Sequence, residues 1–87
     1  MSDTPASILL IDDHPLLRKG IKQLIEMEPD LEIVGEASNA TDGVRIALEL
    51  EPDLILMDLN MPDVSGIEAL RQLRAHNISS RIIMFTV

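Results

Sequence analysis

Residues Ser7–Pro29, SILLIDDHPLLRKGIKQLIEMEP, decide the fold. The run Ser7–Ile11 is short and continuously apolar, which suits a strand buried on both faces. Two carboxylates, Asp12 and Asp13, close it. The spacing then changes. Leu17, Ile21, Leu24 and Ile25 recur at the period of a helix and form one stripe. Asp13 is a suitable N-cap, Pro15 suits the first turn, and Pro29 marks the stop. Gly20 costs this helix about 1 kcal/mol relative to Ala. A buried strand followed by an amphipathic helix is the first half of a parallel crossover unit.

The same alternation continues outward. Met1–Ala6 reads as a loose lead-in. Leu31–Glu36 (LEIVGE) alternates apolar with polar or small residues, as a strand at a sheet edge would. Asn39 followed by Asp42 resembles a helix start, and Val44, Ala47 and Leu48 carry its stripe to Pro52. Asp53–Met57 (DLILM) is a second continuous apolar run, closed by Asp58. LNMPDVSG is a loop by composition. Ile67, Leu70 and Leu73 mark a third helix ending near His76–Asn77, and Arg81–Val87 (RIIMFTV) is a fourth strand. The order β-α-β-α-β-α-β predicts an α/β fold with an open parallel sheet and right-handed crossovers.

Composition narrows the function. The 87 residues carry 15 acidic and 7 basic side chains, a formal charge of -8, which argues against direct nucleic acid contact. Phe85 is the one aromatic residue, so stacking platforms for bases are missing. Cysteine is absent, excluding disulfides and thiolate chemistry. No apolar run approaches the ~18–20 residues of a membrane span, and the first ten residues hold no Lys or Arg. A soluble, cytoplasmic protein of one domain, residues 1–87, is expected.

Ligands of open parallel sheets bind beyond the carboxyl ends of the strands, beside the switch point in strand order. Asp12 and Asp13 end the first strand, Asp58 the third and Thr86 the fourth. If the first and third strands are neighbours, three carboxylates converge, and they repel unless protons or a cation intervene. A hard, all-oxygen set favours Mg²⁺. A lone Asp at a strand end is more often a cap or a turn residue. Three on adjacent strands reverse that preference.

ILLIDDH (Ile8–His14), LILMDLNMP (Leu54–Pro62) and Gly66, four residues past the proline, resemble the receiver domain of two-component response regulators. DDHPLLRKGIKQLI, VGEASNATDG and DLILMDLNMP look most like its NarL/FixJ branch, and within it the nitrate/nitrite regulators of the NarL and NarP type. The likeness runs from about Ser7 to Val87. It implies a flavodoxin-like receiver with strand order 2-1-3-4, truncated so that the fifth strand, the last two helices and a DNA-binding output domain are missing. With that sheet, the first and third helices are expected on one face and the second on the other.

The resemblance also implies residue roles. Asp58 matches the phosphoacceptor. Asp13 and Asp58 match Mg²⁺ ligands, with Asp12 acting through water and Asn60 through its backbone carbonyl. Thr86 matches the switch hydroxyl, and Pro62 and Gly66 match the turn shaping the acceptor loop. His14 is common at its position and is counted as peripheral. The family's fifth-strand Lys has no counterpart, because Lys19 and Lys22 fall in the first helix and read as solvated. The implied function is a phosphorylation-controlled module that accepts a phosphoryl group from a sensor histidine kinase to regulate transcription. It is not an enzyme beyond its own phosphorylation and dephosphorylation. Self-association through the exposed Arg81–Val87 edge is expected. Two alternatives stand: an Asp-nucleophile phosphohydrolase, although Asn60 occupies the place of its usual second Asp, and a chemically inert interaction module.

Overall fold

The computed structural model describes residues 4–86. The elements are β1 (Ala6–Ile11), α1 (Pro15–Glu26), β2 (Leu31–Ala37), α2 (Ala40–Leu50), β3 (Leu54–Asp58), α3 (Gly66–Ala75) and β4 (Arg81–Phe85). The strands form one parallel sheet in the order β2-β1-β3-β4. β1 and β3 are therefore central, and their Ile8, Leu9, Leu10, Ile11, Ile55 and Met57 are essentially inaccessible to solvent. Continuous apolar runs at these two positions follow from burial on both faces. β2, at one edge, alternates half-buried and exposed residues. The lead-in is shorter than expected, since Ala6 already belongs to β1. Residues 1–3 and Val87 lie outside the described residues.

The expected placement of the helices is wrong. Leu9, Ile11, Ile55 and Met57 pack with Ala40, Val44 and Ala47 of α2 and with Ala69 and Leu73 of α3. α2 and α3 thus share one face, and among the described residues α1 alone covers the other. Handedness explains it. The step from β1 to β2 runs one way across the sheet, and the steps from β2 to β3 and from β3 to β4 run the other way. A right-handed crossover puts the helix on opposite faces for opposite directions.

Two stripe positions also differ. Leu24 is 68% exposed and Ile67 is 55% exposed, whereas Ile25, Ala69 and Leu73 are buried. Small residues do the close packing: α3 buries Gly66 and Ala69 against the sheet, which turns Ile67 outward. Lys22 is not simply solvated. Its Nζ stands 3.0 Å from Glu36 of β2, and Arg18 approaches the same carboxylate at 3.4 Å. Hydrogen bonding to Glu36 raises the Lys22 pKa, and the Glu36 charge adds to it.

The N-terminal ends of the strands are tied by polar links. Ser7 N and Oγ donate to Asp53 at 2.8 and 3.1 Å, Arg81 N donates to the Asp53 carbonyl at 3.0 Å, and the buried Ser80 hydroxyl donates to the Pro52 carbonyl. Their registry leaves the opposite, carboxyl end of the sheet for the acidic residues.

Candidate functional site at the carboxyl ends of the strands

β1 and β3 lie side by side with Ile11 opposite Met57. The residues that follow this rung, Asp12 and Asp58, therefore meet. Both side chains are fully buried. Asp12 is drawn to its place by the sheet, because its N–H donates to the Ala37 carbonyl at 3.0 Å. Its own carbonyl accepts from Arg18 at 2.6 Å. Asp13 is 27% exposed and forms the outer wall.

Asp13 does not cap α1, contrary to expectation. His14 occupies the N-cap position and makes no side-chain cap bond. The reason is local. Pro15 at the first helical position has no N–H to satisfy, and the His14 N–H already donates to Asp12 Oδ1 at 3.1 Å. This frees the Asp13 carboxylate for the cluster.

His14, the residue counted as peripheral, stands at the centre. Its Nδ1 is 3.0 Å from Asp12 Oδ1, 3.0 Å from Asp13 Oδ1 and 3.4 Å from Asp58 Oδ2. Hydrogen bonding to Asp12 raises the His14 pKa. The charges of Asp13, Asp12 and Asp58 add to the rise, and partial desolvation opposes it. One ring N–H serves one well-aligned acceptor, and here that is Asp12. Asp12 Oδ2, Asp13 Oδ1 and Asp58 Oδ2 are buried atoms without a hydrogen-bond partner among the described residues. Buried carboxylate oxygens of this kind carry a desolvation cost unless a proton or a cation meets them. Four ligand atoms, one each from Asp12, Asp13, His14 and Asp58, lie within 4.8 Å of one another, which suits a metal ion.

The loop after β3 shapes the other side. Leu59 N continues the pairing with β4 through the Phe85 carbonyl at 2.8 Å. Asn60 N donates to Asp58 Oδ1 at 3.0 Å, fixing that oxygen and leaving Oδ2 toward the carboxylate cluster. The Asn60 side chain donates to Thr86 Oγ1 at 3.0 Å. Pro62 is exposed, whereas Gly66 is buried. A Cβ on Gly66 would meet Leu59 Cα at 2.8 Å and the Asp58 carbonyl oxygen at 2.9 Å. Only glycine allows this approach, and the Gly66 N–H closes the loop on the Leu59 carbonyl at 3.1 Å. The structure thus brings Asp12, Asp13, His14 and Asp58 together, with Asn60 and Thr86 alongside.

One residue of this loop went unnoticed in the sequence. Asp63 accepts from Ala40 N at 3.1 Å, from Thr41 N at 3.0 Å and from the Thr41 hydroxyl at 2.7 Å. It caps α2 from 22 residues away. The Thr41 hydroxyl, with backbone N–H groups of Thr41, Val64 and Ala40, holds its carboxyl far below the usual carboxylate range. Nothing local betrays this role, because Asn39 and Asp42 already compose a complete cap, with Asp42 N donating to Asn39 Oδ1 at 2.8 Å.

Residues 8–87 match the model of the response regulator receiver domain. The chain belongs to that family. The receiver is 59% identical over 83 residues to the nitrate/nitrite response regulator protein NarL of Escherichia coli K12. The match covers 95% of this chain and 38% of that protein. Among solved structures, the receiver superposes on a two-component response regulator of the LuxR family from Aurantimonas sp. with a TM-score of 0.89 and 42% identity, over 95% of this chain and 59% of that one. RcsB of Salmonella enterica serovar Typhimurium, solved bound to the promoter rprA in the presence of the phosphomimetic BeF3⁻, gives a TM-score of 0.85 at 28% identity, over 93% of the receiver and 68% of that chain. Receiver domains of this type are regulators. No helix among the described residues is long and apolar enough to cross a membrane.

Proposed function

We propose that this receiver is the phosphorylation-controlled switch of a cytoplasmic two-component response regulator. It takes a phosphoryl group from a sensor histidine kinase onto Asp58. The observation that carries this reading is the convergence of Asp12, Asp13 and Asp58 at the switch point of the sheet, with three buried oxygens unpartnered. The nucleophile is the Asp58 carboxylate. A carboxylate is ionised at neutral pH and needs no general base. As the carboxylate oxygen not held by the cation bonds to phosphorus, the P–N bond of the phosphohistidine breaks and the electron pair stays on the kinase imidazole. Mg²⁺ fits the oxygen-rich set of Asp13, Asp58, Asp12 through water and the Asn60 carbonyl, and there it would offset the anionic charge of the phosphoryl oxygens.

Thr86 stands at the edge of the site with its hydroxyl engaged by Asn60. The hydroxyl accepts from Asn60 and keeps its own O–H to donate, so turning toward phosphoryl oxygens would strain or loosen the Asn60 contact, a two-position element in this reading. Transcription regulation belongs to a DNA-binding output domain outside residues 1–87, and residues 1–87 are one receiver unit. Pairing of a second copy against β4 is a further part of this reading: β4 is the outermost strand among the described residues, and Ile83 on its face is 52% exposed. Sedimentation should show a dimer that Ile83→Lys disperses; a monomer at all concentrations removes this part alone.

Acetyl phosphate with Mg²⁺ tests the main reading. Intact mass spectrometry should show one phosphoryl group per chain on Asp58, removed by hydroxylamine and missing in Asp58→Asn. Steady release of phosphate would point to a phosphohydrolase instead, and no modification at all would leave an inert interaction module.

A further inference from the structure

We propose that His14 is a nitrogen ligand of the cation held by Asp12, Asp13 and Asp58, and that it gives the site a preference for transition metals such as Ni²⁺ and Zn²⁺ over Mg²⁺. This rests on the reading of the carboxylate cluster as a cation site, and adds a ligand that an all-oxygen site lacks. The geometry comes first. An octahedral ion with bonds of ~2.1 Å holds neighbouring ligand atoms ~3.0 Å apart. His14 Nδ1 stands 3.0, 3.0 and 3.4 Å from one oxygen of each carboxylate, separations of that size. All four ligand atoms lie within 4.8 Å of one another, close enough for one ion to gather them.

The unpartnered oxygens are the second observation. Asp12 and Asp58 are fully buried, the Oδ2 of each has no hydrogen-bond partner among the described residues, and Asp58 Oδ2 faces His14. A ring proton satisfies one acceptor only. A divalent ion meets several at once and accepts the imidazole lone pair as well. The third observation is the way His14 is held. Its N–H is bound to Asp12 Oδ1 at 3.1 Å, its carbonyl accepts from Arg18 N at 2.9 Å, and Pro15 follows it. The backbone therefore presents the imidazole to the carboxylates from the first turn of α1. For Nδ1 to ligate, the ring proton resides on Nε2. Imidazole donors suit Zn²⁺ and Ni²⁺, whereas Mg²⁺ keeps oxygen ligands and water, so the nitrogen discriminates between them.

The test uses the intact protein and the metals alone. Calorimetric titration compares Ni²⁺ and Mg²⁺ binding in wild type, His14→Ala and Asp13→Asn. Ni²⁺ affinity should fall at least about tenfold in His14→Ala, while Mg²⁺ affinity changes by less than about twofold; loss of even a supporting group costs a metal site ~10–100-fold. Pulsed electron paramagnetic resonance of Mn²⁺ on the wild-type protein reads the ligand without any substitution and should show nitrogen coupling. Equal Ni²⁺ affinities in wild type and His14→Ala, or Mn²⁺ bound without nitrogen coupling, would overturn the proposal and leave the carboxylate site standing. Mg²⁺ and Ni²⁺ binding that is indifferent to Asp13→Asn would overturn the cluster reading and this inference with it.

Discussion

The side-chain amide of Asn60 donates to the hydroxyl of Thr86 at 3.0 Å while its backbone N–H donates to Asp58 Oδ1 at 3.0 Å, so one residue holds both the proposed acceptor and the proposed switch hydroxyl. In the proposed switch, Thr86 turns toward the phosphoryl group and the side-chain bond, a feature of the unmodified state, restrains that turn. Asn60→Ala keeps the backbone N–H and carbonyl and removes only the latch. An exposed hydrogen bond of this kind contributes ~0.5–1 kcal/mol, the lower half of the usual range. Beryllofluoride should therefore bind Asn60→Ala about two- to fivefold more tightly than wild type when followed by the Thr86 amide shift in NMR spectra. Unchanged or weaker binding would show that the contact does not restrain the switch.

Crowding of like charges gives a second prediction, with opposite signs in two conditions. In chelator, Asp58→Asn removes a buried charge beside two others and offers an amide donor to them. Two charges ~4 Å apart interact by up to ~4 kcal/mol near a protein surface, and His14 already offsets part of that. The variant should be more stable than wild type by on the order of 1 kcal/mol, a rise in Tm of about 4–8 °C for a domain of this size. Adding Mg²⁺ should stabilise wild type, by about 2.7 kcal/mol at a hundredfold excess over Kd, and leave the variant unmoved. A thermal melt with and without the metal reads both effects.

Much of this site was legible because parallel sheets gather strand ends. Apolar runs closed by Asp12–Asp13 and by Asp58 needed only adjacency of β1 and β3 to become a cluster, and that adjacency came from the family likeness. Faces were harder. The expectation for α1 and α3 failed because a helix's side depends on the direction of each step across the sheet, a relation no single helix carries in its residues. Leu24 and Ile67 illustrate a related limit: helical spacing marks an apolar stripe, but small residues such as Ala69 decide which edge of it touches the sheet. His14 and Asp63 were underrated for a common reason. Each acts on groups whose positions exist only after folding, the first through a bend at the end of β1, the second across 22 residues of sequence.

Asp63 links the acceptor loop to α2, and its loss should be felt in stability. Removing a side-chain cap costs about 1 kcal/mol. Asp63→Ala should lower unfolding free energy by about that amount at neutral pH. The sign with pH follows from the depressed folded-state pKa: the carboxylate's contribution is fully present above the unfolded value of ~3.9 and is lost as pH falls from there toward the lower folded value. Urea titrations of wild type and Asp63→Ala should differ at pH 7 and converge progressively below about pH 4. A gap that stays constant down to strong acid would mean that packing, not the charged cap, accounts for the loss.

Two glycines predict opposite outcomes for the same substitution. At Gly66 an added methyl would press on Leu59 Cα and the Asp58 carbonyl oxygen at under 3 Å, and backbone at the acceptor cannot yield as a side-chain tip can. Over-packing of this kind costs ~1–3 kcal/mol. Gly66→Ala should lose that stability and also displace the loop bearing Asn60, so the beryllofluoride response should weaken beyond what destabilisation alone explains. At Gly20, inside α1, a Cβ would meet nothing within 4 Å, and the backbone is helical. Alanine there restricts the unfolded chain and suits the helix, a gain of ~0.5–1 kcal/mol. Gly20→Ala should raise the midpoint of urea unfolding without changing its slope. A loss of stability at Gly20, or none at Gly66, would mean that α1 or the acceptor loop packs differently from the arrangement described.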